Sequence, residues 1–316
     1  MRTDDLLLRV ECYVAVRKAL GYAVRSEGKL LKDFVQFLEL NGVSSAIRAQ
    51  TAIEWACAPA PGRGPSGEAS RLKVVRRFLS HLQAFEFETE VPGPGVLPAF
   101  QRPMPYLYSS DEIAALMKEA SHLGPKDSLR PYTYVALIGL LASSGLRVGE
   151  ALRLKVGEVR LSCSHPHLLV VQTKFRKSRL VPLHPSCAEK IAEYAAQRKR
   201  LGYDALSDAF FVSEWGAHLG YHTCHQTFCG LAQRAGICKR PGTGRPGIHS
   251  LRHVFAVSRM IEWHRAGINV RDLVPHLSVY MGHVQPAHTY WYLTATPELL
   301  STAAEAFCQY TQGVQQ

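Results

Sequence analysis

The chain has 316 residues, 47% of them hydrophobic and 20% charged, and carries a formal net charge of +11. That length allows one large domain or two ordinary ones, and the apolar content supplies a packed core, which excludes a disordered chain. The basic balance points toward a polyanionic partner.

Eight cysteines are scattered without a CxxC pair, which reads as reduced thiols and not a disulfide framework. No apolar run reaches the roughly 18 residues of a membrane span, and the first twenty residues lack the apolar core of a signal peptide. The expectation is a cytoplasmic protein without membrane contact.

In chain order, Leu30, Leu31, Phe34, Val35, Phe37 and Leu38 recur at helical spacing, as do Leu72, Val75, Phe78, Leu79 and Leu82. The segment 59–65 (PAPGRGP) between them reads as a loop. Lys73, Arg76 and Arg77 lie beside the second stripe, a basic face suited to DNA, with ordinary solvation as the alternative. This predicts a small helical domain over residues 1–90. The stretch 91–105 (VPGPGVLPAFQRPMP) holds five prolines and two glycines. It is incompatible with a helix or central strand and reads as a linker to a second domain at 106–316.

The second domain begins at a capping box, Ser109 to Glu112. A very apolar helix at 133–144 (TYVALIGLLASS) stops at Gly145. Three β-like runs follow at 158–161, 168–173 and 178–183, with a turn at 174–177 between the last two. Helical patterns return from about 186. The fold class expected is mainly α with one small antiparallel β-sheet, in two domains.

Four fragments carry candidate chemistry. In SSGLRVGEALRL (143–154), Arg147 stands at a helix start, where its fork of donors suits an anion; a salt bridge to Glu150 is the alternative. In QTKFRKSRLVPL (172–183), Lys174, Arg176 and Lys177 form a hairpin tip that either reaches into a DNA groove or is simply solvated. In GIHSLRHVFAV (247–257), His249 and Arg252 share a helix face. His249 and His253 have the spacing of a helical zinc pair, but Leu251 and Arg252 occupy the middle and no glutamate follows the first histidine, so no metal is expected. In YMGHVQPAHTYWYL (280–293), Tyr292 follows His283 by nine positions; Tyr290, Trp291 and Tyr292 read equally as a packed aromatic cluster.

Together these fragments resemble the tyrosine recombinase (phage integrase) family, whose signature in chain order is Arg, Lys, His-x-x-Arg, His and Tyr. The resemblance spans about 105–300. It implies catalytic roles for Arg147, Lys174, His249, Arg252 and His283, with Tyr292 as nucleophile and Glu150 and His253 as usual companions. It also makes the N-terminal helical region a core-binding domain. Tyr290 competes for the nucleophile's place. Residues two apart on a helix face nearly opposite ways, so only one of the pair serves, and the family spacing selects Tyr292. The wording around YMGH and TYWYL is similar to that of transposon-borne members.

The implied chemistry is strand cleavage and rejoining of double-stranded DNA through a 3′-phosphotyrosine, without metal, ATP or other cofactor. A helix expected at 296–307 either packs on its own domain or, as the resemblance implies, docks on a neighbouring protomer in a homo-tetramer on DNA, with accessory recombinases as further partners. The alternatives are a type IB topoisomerase-like relaxing enzyme and a non-catalytic DNA-binding regulator on the same fold.

Overall fold

The computed structural model describes residues 3–22, 24, 26–43, 46–98, 103–125, 127–171, 178–283, 285 and 287–294. Two compact units divide the chain, residues 1–102 and 103–316.

In the first unit the amphipathic stripes become helices. They are α1 (Thr3–Ala19), α2 (Glu27–Leu40), α3 (Ala49–Cys57) and α4 (Pro65–Leu82). Leu31, Phe34, Val35 and Leu38 of α2 meet Leu72, Val75, Phe78, Leu79 and Leu82 of α4 in one core. Leu30 and Phe37 only border it. The core also takes Leu6, Val10 and Tyr13 from α1 and Trp55 from α3, two helices whose stripes are too mixed to stand out in sequence. Trp55 is clamped from outside: its indole N–H donates to Asp33 at 3.2 Å, and the Arg71 guanidinium lies 3.7 Å over its ring. Val91 and Leu97 pack against this core as well, so the proline-rich stretch begins as part of the first unit.

The second unit contains α5 (Ser110–Ser121), α6 (Arg130–Ser144), α7 (Val148–Leu152), α8 (Pro185–Arg200), α9 (Tyr221–Arg234), α10 (Ser250–Arg265), α11 (Val270–Met281) and α12 (Ala287–Thr294). The capping box forms as its residues dictate: Ser109 Oγ accepts from the Glu112 amide, and the Glu112 carboxylate accepts from the Ser109 amide. Three short strands, β1 (Val159–Arg160), β2 (His167–Val170) and β3 (Arg179–Pro182), make an antiparallel sheet in the order β1-β2-β3. Leu168 faces Val181 across it, both fully buried.

Helix α6 is the central post. Apolar nearly all round, it packs against α5, α8 and α10. It ends at Gly145 with φ +60, where a Cβ would sit 2.3 Å from the Phe255 ring of α10. The chain leaves a buried helix here with no room for a side chain, and that abrupt exit delivers Arg147 to the start of α7. Among the described residues, no helix is long and apolar enough to cross a membrane.

Candidate active site

The site gathers around the C-terminal end of α11. The last carbonyls of a helix have no intrahelical donor and must be satisfied otherwise. Here Gly282, at φ +69, turns the chain so that the His283 amide donates to Ser278 O and the Gly282 amide to Val279 O, both at 2.9 Å. Three arginines take the three carbonyls that remain. Arg179 Nε donates to Tyr280 O at 2.8 Å, Arg252 Nη2 to Met281 O at 2.8 Å, and Arg147 Nη2 to Gly282 O at 2.9 Å. The negative end of the helix dipole eases the assembly of these cations.

One carboxylate serves the cluster. Glu150 is buried and pairs with both Arg147 (Nη1 to Oε1, 2.9 Å) and Arg179 (Nη2 to Oε2, 2.8 Å). Its Oε2 also accepts from the Arg147 amide at 3.1 Å. The two alternatives for Arg147 therefore coexist, because the arginine carries five donors and Glu150 takes only part of them. Burial pulls the Glu150 carboxyl upward, but the hydrogen bond and charge of Arg179, with the Arg147 amide and guanidinium, hold it below the usual glutamate range.

Arg252 is 2% exposed. Its Nη1 donates to Gly145 O at 2.6 Å and its Nη2 lies 2.9 Å from His283 Nε2. Burial, then the neighbouring Arg147 charge, push its guanidinium down to about 10, which leaves it a cation at neutral pH. Among the described residues, no carboxylate pairs with it directly; the one at hand, Glu150, is engaged by the other two arginines. An anion bound here would relieve the cost of holding that charge out of water.

An arginine donates and does not accept, so His283 Nε2 is the acceptor in its contact with Arg252. The ring proton then sits on Nδ1 and donates to Thr289 Oγ1 at 2.6 Å. Thr289 is fully buried on α12, the helix that carries Tyr292.

Tyr292 is 2% exposed, whereas Tyr290 is 40% exposed. The Tyr292 ring lies 6.4 Å from that of His283, nearly parallel to it. Its hydroxyl is 3.0 Å from His253 Nδ1. The aromatic cluster expected as an alternative is present too: Trp291 packs edge-on to Tyr292, and Tyr292 joins Phe255, Met260, Leu277 and Met281 in a small core. His249, exposed, stands just before the first residue of α10, with its ring 5.0 Å from that of His253. His253, one turn beyond His249, is thus a hydrogen-bond partner of the tyrosine hydroxyl.

The structure therefore brings Arg147, Arg252, His283, Tyr292, Glu150 and His253 into one place, with His249 beside them. Lys174, Arg176, Lys177 and the helix expected at 296–307 lie outside the described residues. On α4, Lys73 is exposed and Arg76 half-buried, while Arg77 is tied to Glu27 of α2 at 3.2 Å. Among the described residues, no group of three or more His, Cys, Asp or Glu is placed to hold a metal ion. Sequence reading missed two residues, Arg179 and Thr289. Thr289 has no signature of its own. Arg179 has one: strand alternation sets it on the same side as the buried Val181, while Leu180 between them is 59% exposed.

A mainly helical protein with a small three-stranded sheet, whose buried tyrosine meets a cage of arginines and histidines, defines a class able to grip an anion beside a tyrosine hydroxyl. The phage integrase family model matches residues 107–298, and the chain belongs to that family, the tyrosine recombinases. A protein of Sinorhizobium fredii named as an integrase/recombinase (y4rB) is 38% identical over 299 residues, 93% of this chain and 94% of its own length. The structure of the XerH site-specific recombinase bound to palindromic difH substrate matches with a TM-score of 0.68 at 17% identity, over 97% of this chain and 85% of that one. The Tn1549 transposon integrase in complex with transposon right end DNA matches with a TM-score of 0.65 at 14% identity, over 95% of this chain and 98% of that one. At these identities the likeness to the two structures is one of fold.

Proposed function

We propose that this protein is a site-specific DNA recombinase that cleaves and rejoins strands through a covalent tyrosine intermediate, without metal or ATP. The observation that carries the reading is the convergence of Arg147, Arg252, His283 and Tyr292, from segments far apart in the chain, on one buried cationic pocket. DNA as the partner is supported by the net charge of +11. It is also supported by the palindromic difH substrate bound to the XerH site-specific recombinase and by the transposon right end DNA bound to the Tn1549 integrase.

In this mechanism the Tyr292 Oη attacks the scissile phosphorus. Its proton passes to the His249–His253 pair, and the bond to the 5′-oxygen breaks, leaving a 3′-phosphotyrosine and a 5′-hydroxyl. Arg147 and Arg252 stabilise the charge that builds on the non-bridging oxygens, an effect worth on the order of 3 kcal/mol per donor. His283 Nε2, an acceptor from Arg252 at rest, donates to the phosphate only after Arg252 turns its Nη2 to the phosphate and the ring takes up a second proton from solvent, as imidazolium. Lys174 supplies the proton for the departing 5′-oxygen. Attack by another strand's 5′-hydroxyl on the phosphotyrosine reverses these steps and completes the exchange, so no external energy source is needed. Lys73, Arg76, Arg77, Arg176 and Lys177 grip the duplex. The working form is a homo-tetramer on DNA, assembled with accessory recombinases where the reaction calls for them, at the ends of a mobile element.

The test is a set of nicked suicide duplexes tiled through the DNA that flanks the coding sequence. Wild type is expected to form a covalent protein–DNA adduct at a defined position, and Tyr292→Phe none. Absence of any wild-type adduct, or an adduct with Tyr292→Phe, refutes the assignment. Recombinant products from paired sites, as opposed to relaxation alone, distinguish a recombinase from a topoisomerase.

A further inference from the structure

Arg179 is the one arginine of the cluster to which the proposed chemistry gives no task. It stands on β3 beside the buried Val181, and its side chain is only 13% exposed. An arginine turned inward while its neighbour Leu180 faces out reverses the usual order of a half-buried strand. All three of its guanidinium nitrogens are used. Nε donates to Tyr280 O at 2.8 Å, Nη1 to Glu150 Oε1 at 3.3 Å and Nη2 to Glu150 Oε2 at 2.8 Å. This is a two-pronged pair across a planar fork, which a lysine does not reproduce. Packing is tight around it: a Cβ on Gly282 would lie 2.8 Å from Arg179 Nη1.

We infer that Arg179 is a positioning residue for phosphoryl transfer: it engages both oxygens of Glu150 and the end of α11, so that Arg147 keeps its orientation and its attraction for the scissile phosphate. The role rests on the recombinase reading above. The physical basis is charge sharing. A carboxylate divided between two guanidinia neutralises neither completely. With Arg179 on both oxygens, Glu150 orients Arg147 through Nη1 and the backbone amide, Gly282 O takes one hydrogen of Nη2, and the remaining guanidinium N–H groups are left for an anion. Without Arg179, Glu150 is left to close on Arg147 with both oxygens and quench the cation meant for the phosphate. The carbonyl of Tyr280 also loses its donor at the helix end that leads to His283.

The experiment measures covalent adduct formation by wild type, Arg179→Gln and Arg179→Lys on a nicked duplex from the flanking DNA. The position mapped as cleaved carries either an ordinary phosphodiester or a methylphosphonate. In the methylphosphonate a methyl replaces one non-bridging oxygen, so the group is neutral and its transition state depends less on cationic clamps. Duplex affinity and thermal stability are measured alongside. Arg179→Gln is expected to slow adduct formation on the phosphodiester by about 10–100-fold, since a misplacement of about 1 Å at the reacting centre costs about 100-fold. On the methylphosphonate the loss is expected to shrink to about threefold or less. Arg179→Lys, which keeps the charge without the fork, is expected to fall between and carries the same comparison if the glutamine variant does not fold. An equal loss on both substrates marks a purely structural residue and overturns the inference, as does the absence of any loss. If wild type forms no adduct on any duplex, the recombinase reading fails first and the positioning role falls with it.

Discussion

At the residue scale, two pairs of candidates in the sequence are separated by which side chain faces inward. Tyr290 and Tyr292 are equivalent as letters, yet only Tyr292 is buried against His253 and His283, because a two-residue step on α12 turns the side chain by more than half a circle. His249 and His253 are one turn apart, and it is His253 whose Nδ1 meets the tyrosine hydroxyl. Replacing it by phenylalanine is expected to slow adduct formation by about tenfold or more while leaving duplex affinity within about twofold. Unchanged adduct kinetics would remove His253 from the proton route. Thr289 accepts the Nδ1 proton of His283 and so selects the tautomer whose Nε2 faces Arg252. Thr289→Val keeps the shape and deletes the acceptor. An activity loss of about tenfold is expected, and ¹⁵N chemical shifts of the His283 ring should report a changed tautomer population; a wild-type ring spectrum would contradict the assignment.

At the element scale, two glycine-ended helices hold the site. Gly145 and Gly282 both adopt positive φ, and each is pressed against a named side chain, Phe255 in one case and Arg179 in the other. Gly145→Ala is expected to destabilise the protein by at least about 2 kcal/mol, from the strained φ and the overlap with Phe255, read as a lowered unfolding midpoint in urea. Glu150 links α7 to β3 and makes this junction pH-sensitive. Its native pKa lies below the ordinary 4.5, so its contribution is present above that value and is lost as pH falls through the depressed native value. Wild type should exceed Glu150→Gln in melting temperature at pH 6, and the gap should close progressively at pH values below about 4.5. A gap that stays constant with pH would show that the carboxylate's charge is not what holds the junction. The helix boundaries at Ser109 and Gly145 were legible in sequence, because those residues and the apolar stripes act within a few residues of where they stand. Arg179 was not, although its inward place beside Val181 could have been noticed. Its partners Glu150 and Tyr280 lie 29 and 101 residues away, and no local pattern announces them.

At the scale of the whole molecule, the net charge of +11 predicts how the protein meets DNA. Duplex binding should weaken by about tenfold or more between about 50 and 200 mM salt, because each neutralised phosphate releases condensed counterions. A flat response in a binding titration would speak against DNA as the partner. The amino-acid order alone determined a helical protein with one small sheet, and it raised a break near residue 100 and Arg147, Arg252, His249, His283 and Tyr292 as candidates for the site. These follow from periodicity, from proline and glycine chemistry, and from motifs that survive as short strings. Only the tertiary structure decided that three arginines close the end of α11, that Glu150 is shared between two of them, and that His253 is the histidine at the tyrosine hydroxyl. The reason is physical: a helix end leaves carbonyls to be satisfied, and which distant side chains satisfy them depends on how α6, α10, α11 and β3 pack, a property that no local stretch of the chain contains.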